Sequence, residues 1–158
     1  MRFARFRRVA WLSMFAAACF ATGASRAAPV DGQQIFAANC ALCHQPDGEG
    51  AAGLAPALAG TLKRFSASEA GRTYLSQIVV SGMVGTIETQ AHKFQGLMPA
   101  FADRLSDAQI AAVIGYVLAT FNAVPAPVVT ARDVAAARAR APSASDTRHA
   151  RLAALAAP

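Results

Sequence analysis

The stretch Asn39-Cys40-Ala41-Leu42-Cys43-His44-Gln45 decides how the rest of the chain is read. Two cysteines three positions apart, with a histidine directly after the second, form C-x-x-C-H, the attachment signature for a c-type haem. The spacing has a physical reason. Two thiols so placed near a helix end can reach the two vinyl groups on one edge of a porphyrin, and the adjacent histidine then aims its imidazole at the iron. Other uses of the motif fit less well. A thioredoxin-like redox pair wants a βαβ context, and no strand pattern precedes Cys40. A zinc site wants four ligands, and the one other cysteine, Cys19, lies in a segment of different character.

That segment is the amino terminus. Arg2, Arg5, Arg7 and Arg8 are followed by thirteen residues, Val9 to Ala21, broken only by Ser13, and then by Ser25-Arg26-Ala27. A basic start, a short apolar run and small residues at −3 and −1 make a secretory signal peptide, expected over 1–27 with cleavage after Ala27. The run is short of the ~20 apolar residues that span a bilayer. Cys19, behind Ala16-Ala17-Ala18, supplies the alternative of a lipid anchor, without the leucine usual three positions before such a cysteine. Export suits the haem reading, because attachment of c-type haem takes place outside the cytoplasm.

Downstream, residues 28–124 read as the folded domain. Asp31 can cap a first helix from Gly32 to Ala41, with Ile35, Phe36, Asn39 and Cys40 at helical spacing. Ser68 to Val80 reads as another helix, ended by Gly82. Ser106-Asp107-Ala108-Gln109 is a capping box ahead of Ile110, Val113, Ile114, Val117, Leu118 and Phe121, an apolar stripe at helical period. Val84 to Phe94 has the alternation of a small hairpin. The haem iron needs a sixth ligand or an open site, and the candidates are Met83, His92, Met98 and His149. Met98 is favoured, because Pro99 stiffens the loop that carries it. His/Met ligation raises the potential and leaves no coordination site for substrate.

With these residues in hand, the domain resembles a class I cytochrome c of the small bacterial monohaem kind, over about Gly32 to Phe121. The resemblance rests on Gly32-Gln33-Gln34-Ile35-Phe36, on Cys40 to His44, on Ala55-Pro56-Ala57-Leu58, on Leu97-Met98-Pro99 and on a final helix around Tyr116. It implies an all-α cytochrome c fold, three to five helices wrapped around one covalent haem with a minor hairpin. It implies thioethers from Cys40 and Cys43, axial ligation by His44 and Met98, and a Pro56 carbonyl that accepts the His44 Nδ1–H. It also implies crossing first and last helices, with Gly32, Phe36, Gly115 and Tyr116 at the contact.

Charge narrows the partners. The chain of 158 residues carries a formal +6 and a pI near 10, which invites a nucleic-acid or membrane reading. Five of the fifteen basic residues lie before Ala27, however, and Asp31 to Val124 holds five basic against seven acidic residues. A nucleic-acid binder needs a basic face on its folded domain; nucleic acid is therefore excluded as a partner, and no stable membrane span is expected once the leader is removed. The expected function is periplasmic electron transfer, as a soluble carrier or as the cytochrome subunit of a periplasmic dehydrogenase. A dehydrogenase would be the donor and a terminal oxidase or another cytochrome the acceptor. No enzymatic activity of its own is expected. The alternative is a haem enzyme or gas sensor with an open distal iron. Residues 125–158, rich in Ala, Arg and Pro, are expected to form about two helical turns after Thr130 and then a mobile basic tail from Ser143, carrying Arg148, His149 and Arg151.

Overall fold

A computed structural model describes residues 30–89, 92–125 and 127–157. The expected leader, its cleavage point and Cys19 lie outside the described residues. Asp31 accepts from the Gln33 and Gln34 backbone amides, as an N-cap should, and starts α1 (Gly32–Asn39). The helix ends two residues earlier than its spacing suggests. Cys40, at φ −115° and ψ −36°, interrupts the helix, and α2 (Ala41–His44) follows as a single turn. A short α3 (Lys63–Ser66) leads into α4 (Glu69–Ser81), capped by the Ser68 hydroxyl and ended at Gly82. An antiparallel hairpin follows, β1 (Met83–Glu88) and β2 (Lys93–Met98). Its register pairs Met83 with Met98 and Glu88 with Lys93, so the strands run several residues beyond the alternation in the sequence. Then comes α5 (Asp107–Asn122), with both halves of the Ser106–Gln109 capping box formed.

The first and last helices of this core cross, and the crossing depends on a missing side chain. A Cβ on Gly32 would collide with the Ala112 carbonyl oxygen and sit 2.9 Å from the Tyr116 Cβ. Gly32 therefore meets Ala112 and Tyr116. Phe36 completes the contact, with ring centroids 5.6 Å from Tyr116 and 5.3 Å from Phe121. Such aromatic pairs contribute about 0.5–1.5 kcal/mol each beyond their buried area.

The carboxy-terminal segment differs from the expected mobile tail. Thr130 and Asp133 form a capping box that starts α6 (Ala131–Arg140), and Ser143 and Asp146 form a second that starts α7 (Ala144–Ala156). Among the described residues there are thus seven helices, two of them in this extension. Both pack back on the domain: α6 against α4 and α5, α7 against α4 and β1. Val134, Ala137, Thr147 and Ala154 are buried there. The tail's arginines are also not all solvated. Arg138 donates to the Asp107 carboxylate at 2.8 Å and to the Ala102 and Leu105 carbonyls at 2.6 and 3.0 Å. The physical reason is that two short capped helices, marginal alone, become stable once α4, α5 and β1 offer them an apolar surface.

Candidate functional site

Cys40, Cys43, His44, Pro56 and Met98 all line one cavity of about 1120 Å³. That is slightly above the range of roughly 300–1,000 Å³ for small-molecule sites. Five elements supply most of its apolar lining. Phe36 comes from α1, Tyr74, Leu75, Ile78 and Val79 from α4, Met83 and Ile87 from β1, Phe94 from β2, and Val113, Ile114, Val117 and Leu118 from α5. Residues far apart in sequence meet there because the α1–α5 crossing and the α4–hairpin turn fold toward each other.

The proximal wall is built by the turn between α1 and α2. The Cys40 amide donates to Phe36 O at 2.9 Å, while the Cys43 and His44 amides donate to Cys40 O. This keeps the two thiols on one turn and points the chain inward at His44, which is 9% exposed. Gln45 then reverses the chain at φ 65° and ψ 156°, a conformation glycine normally takes. This strain directly after the motif left no sign in the sequence. Burial, reinforced by the nearby Cys43, pushes the Cys40 thiol up to about 11, so it is held as a thiol.

His44 Nδ1 lies 3.0 Å from the Pro56 carbonyl oxygen. A carbonyl only accepts, so Nδ1 carries the proton and Nε2 presents a lone pair. Burial lowers the pKa of His44, and the bond to Pro56 opposes this in part; the burial favours the neutral imidazole, the form a metal requires. The Pro56 carbonyl is fixed by its own loop. Gly50 N donates to His44 O at 2.9 Å, Ala51 and Ala55 form a β-bridge, and Leu58 N donates to Gly48 O at 2.7 Å.

Met98 ends β2 and lines the same cavity as the cysteine turn. Its backbone position is set by Gly82. At φ 67° and ψ −165° only glycine is comfortable, and a Cβ there would collide with the Met98 carbonyl oxygen. Beyond Pro99, Phe101 N and Ala102 N donate to Val79 O and Val80 O at 3.0 and 3.2 Å, tying the loop to α4. Met83 is Met98's partner across the hairpin. Residues directly opposed in an antiparallel pair share a face, and both methionines line the cavity. His92 is exposed at the mouth, its ring 6.1 Å from Phe94, and His149 is exposed on α7.

Comparison with protein families matches residues 29–121 to the family described as Cytochrome c, more than half of the chain. The chain belongs to the cytochrome c family. This cytochrome c is 42% identical over 90 residues to Cytochrome c-552 of Thermus thermophilus, covering 57% of this chain and 60% of that protein. It is 42% identical over 89 residues to Cytochrome c6 of Microcystis aeruginosa, 56% of this chain and 93% of that one. It is 34% identical over 108 residues to the Gluconate 2-dehydrogenase cytochrome c subunit of Pantoea cypripedii, 68% of this chain but 24% of that subunit. The chain thus spans about 60% of the length of the Thermus relative.

Family membership brings one covalently attached haem c with its iron. The residues present fit it: an apolar cavity, two cysteines on one turn of its wall, a buried neutral imidazole with its other nitrogen committed, and a thioether sulfur on a pinned loop. Two cavity residues were not foreseen, Arg151 and Leu155 of α7. Their signal was present, because Ser143-x-x-Asp146 repeats the cap pattern of Thr130-x-x-Asp133, and Thr147, Ala150, Arg151, Ala154 and Leu155 follow at helical spacing.

Proposed function

We propose that this cytochrome c is a monohaem electron carrier of the periplasm, acting as a soluble shuttle or as the cytochrome subunit of a dehydrogenase. In this reading Cys40 and Cys43 form the thioether links, His44 is the proximal ligand and Met98 the distal one. The observation that carries it is the buried His44 Nδ1–Pro56 carbonyl bond at 3.0 Å, in the same apolar cavity that Cys40, Cys43 and Met98 line. A ligating histidine almost always donates its second nitrogen in this way, which fixes the ring and raises its basicity.

Haem c supplies an iron that exchanges one electron at a time. The chain's residues hold its surroundings still. Pro56 orients the imidazole, Gly82 seats the Met98 backbone, and the apolar walls keep water out. Ligation by both His44 and Met98 favours electron transfer over oxygen or peroxide chemistry. Export to the periplasm is supported by the leader pattern over 1–27. Among the described residues no helix is long and apolar enough to cross a membrane. The redox partner would meet apolar residues beside the cysteine turn and the cavity mouth, Leu42 at 87% exposure and Leu97 at 70%. A small transient interface suits such a patch. The dehydrogenase-subunit role is supported by the name of the Pantoea relative.

An absorption spectrum of the oxidised protein tests the ligation. The long-wavelength methionine-to-iron charge-transfer band is expected, and Met98→Ala should abolish it while leaving the haem covalently attached. Absence of the band in the wild type, with rapid carbon monoxide binding to the reduced form, would instead establish the open-site enzyme or sensor.

A further inference from the structure

The family match ends at residue 121, yet a helix beyond it reaches the cavity. α7 runs along β1. The Arg148 side chain crosses Gly85, where a Cβ would lie 3.5 Å from its Cδ. One turn on, Arg151 Nη2 donates to the Glu88 carbonyl at 3.2 Å. Arg151 and Leu155, four residues apart and so on one helix face, are cavity wall. The Arg151 guanidinium also lies beside the buried Tyr74 hydroxyl of α4, whose pKa is raised by burial against the pull of that cation.

A haem carries two carboxylates, and an anion placed against apolar walls needs a cation or water. The other charged side chains on this wall are Glu49, Lys63, Arg64 and Glu88, with His92 at the mouth. The two acids repel a carboxylate, and Glu88 is already paired with Lys93 at 3.4 Å. Lys63 and Arg64 are exposed on the one-turn α3, whereas Arg151 is half-buried on a thirteen-residue helix. A half-buried charge on a fixed element is screened less by solvent and salt. Guanidinium has five donors in a planar fork that matches a carboxylate, and the Glu88 bond engages only one of its nitrogens.

We propose that α7 is part of the haem site: Arg151 pairs with a haem propionate, so that the carboxy-terminal extension supplies the cation of the cofactor pocket. This rests on the haem reading above. The pair has two consequences. It keeps the propionate ionised, and its positive partner favours the reduced iron.

The test uses full-length haem-loaded protein, with reduction potential followed from about pH 5 to 7.5, the range into which an unpaired, partly buried carboxylate would rise. Wild type is expected to be flat. Arg151→Gln should lower the reduction equilibrium constant about threefold to tenfold at neutral pH, tenfold being 59 mV for one electron. Its potential should also slope downward with rising pH, because the released propionate now ionises within the range and favours the oxidised iron. Arg151→Lys should stay within about twofold of wild type. Arg148→Gln removes the same charge from the same helix at a residue outside the cavity wall, and should leave the potential unmoved. An Arg151→Gln protein with wild-type potential and pH profile, and α7 intact by circular dichroism, overturns the proposal alone. So does an Arg148→Gln effect as large as that of Arg151→Gln. A wild-type protein without covalent haem overturns the site reading and this proposal with it.

Discussion

Arg138→Met should loosen the extension from the loop that follows Met98. The substitution keeps the apolar stem and deletes the guanidinium. Three charge-assisted bonds are lost, to the Asp107 carboxylate and to the Ala102 and Leu105 carbonyls, at 2.8, 2.6 and 3.0 Å. Fully buried, each would be worth about 1.5–3 kcal/mol. The Arg138 and Asp107 side chains are 33% and 32% exposed, however, so water recovers part of the loss. An exposed ion pair contributes about 0–1 kcal/mol and a broken buried one costs about 3–5. The site lies between these, and we expect about 2–3 kcal/mol. Denaturant titration of the haem-loaded protein measures the global part. Native-state hydrogen exchange measures the part local to α6 and α7, whose protection should fall about 30- to 150-fold at 1.4 kcal/mol per decade. Asp107→Asn should cost less, because the two carbonyl bonds remain. A loss below about 0.5 kcal/mol by both methods would refute the reasoning and show that apolar burial alone docks the extension.

Three further outcomes follow from single features. Gly82→Ala should cost about 1–3 kcal/mol in backbone strain, and its Cβ would displace the Met98 carbonyl; an unchanged denaturation midpoint and an unchanged absorption spectrum would show that Gly82 does not seat the Met98 loop. Acid should release the extension through its caps. The Thr130 side-chain and backbone bonds hold Asp133 below its ordinary 3.8, and the Ser143 backbone and side-chain bonds do the same for Asp146. A lowered folded-state pKa gives stability that is complete above the unfolded value and lost as pH falls through the folded one, so α6 and α7 should lose helicity below about pH 3.8, and equal loss in the Asp133→Asn/Asp146→Asn double variant would exclude the caps as the cause. Gln77 is buried on α4, and its Oε1 has no hydrogen-bond partner among the described residues; Gln77→Met should raise stability by about 1 kcal/mol, and a lower melting temperature would point to a bonded oxygen.

Much of the fold was legible because its signals are local. Asp31, Ser68 and Ser106 are cap residues whose side chains reach amides two or three positions away, and such bonds are written in neighbouring residues. Cys40 to His44 is equally local, and the haem chemistry follows from it without knowledge of the fold. The break between α1 and α2 was not legible. Cys40 continues the helical spacing, and only the inward turn at His44, held by Gln45 in a strained conformation, separates the two pieces. The docked extension is not legible for a related reason. Its alanine-rich sequence favours helix, but segments of 10 and 13 residues are marginal alone, and the Ser143–Asp146 cap starts a lasting helix only because α4 and β1 bury Thr147 and Ala154.

The sequence by itself determined which groups are available to hold a haem: two thiols and an imidazole in one short motif, a proline twelve residues on, and a methionine before a proline. Those identities and spacings are properties of the chain, independent of what lies opposite them. Only the tertiary structure decided what surrounds the site. It brought the Pro56 carbonyl within 3.0 Å of His44 Nδ1, set Met83 and Met98 side by side across the hairpin, and laid Arg151 of the extension in the cavity wall. Such contacts join residues whose separation along the chain carries no periodic signal, and they form only when buried apolar faces fix how the helices cross.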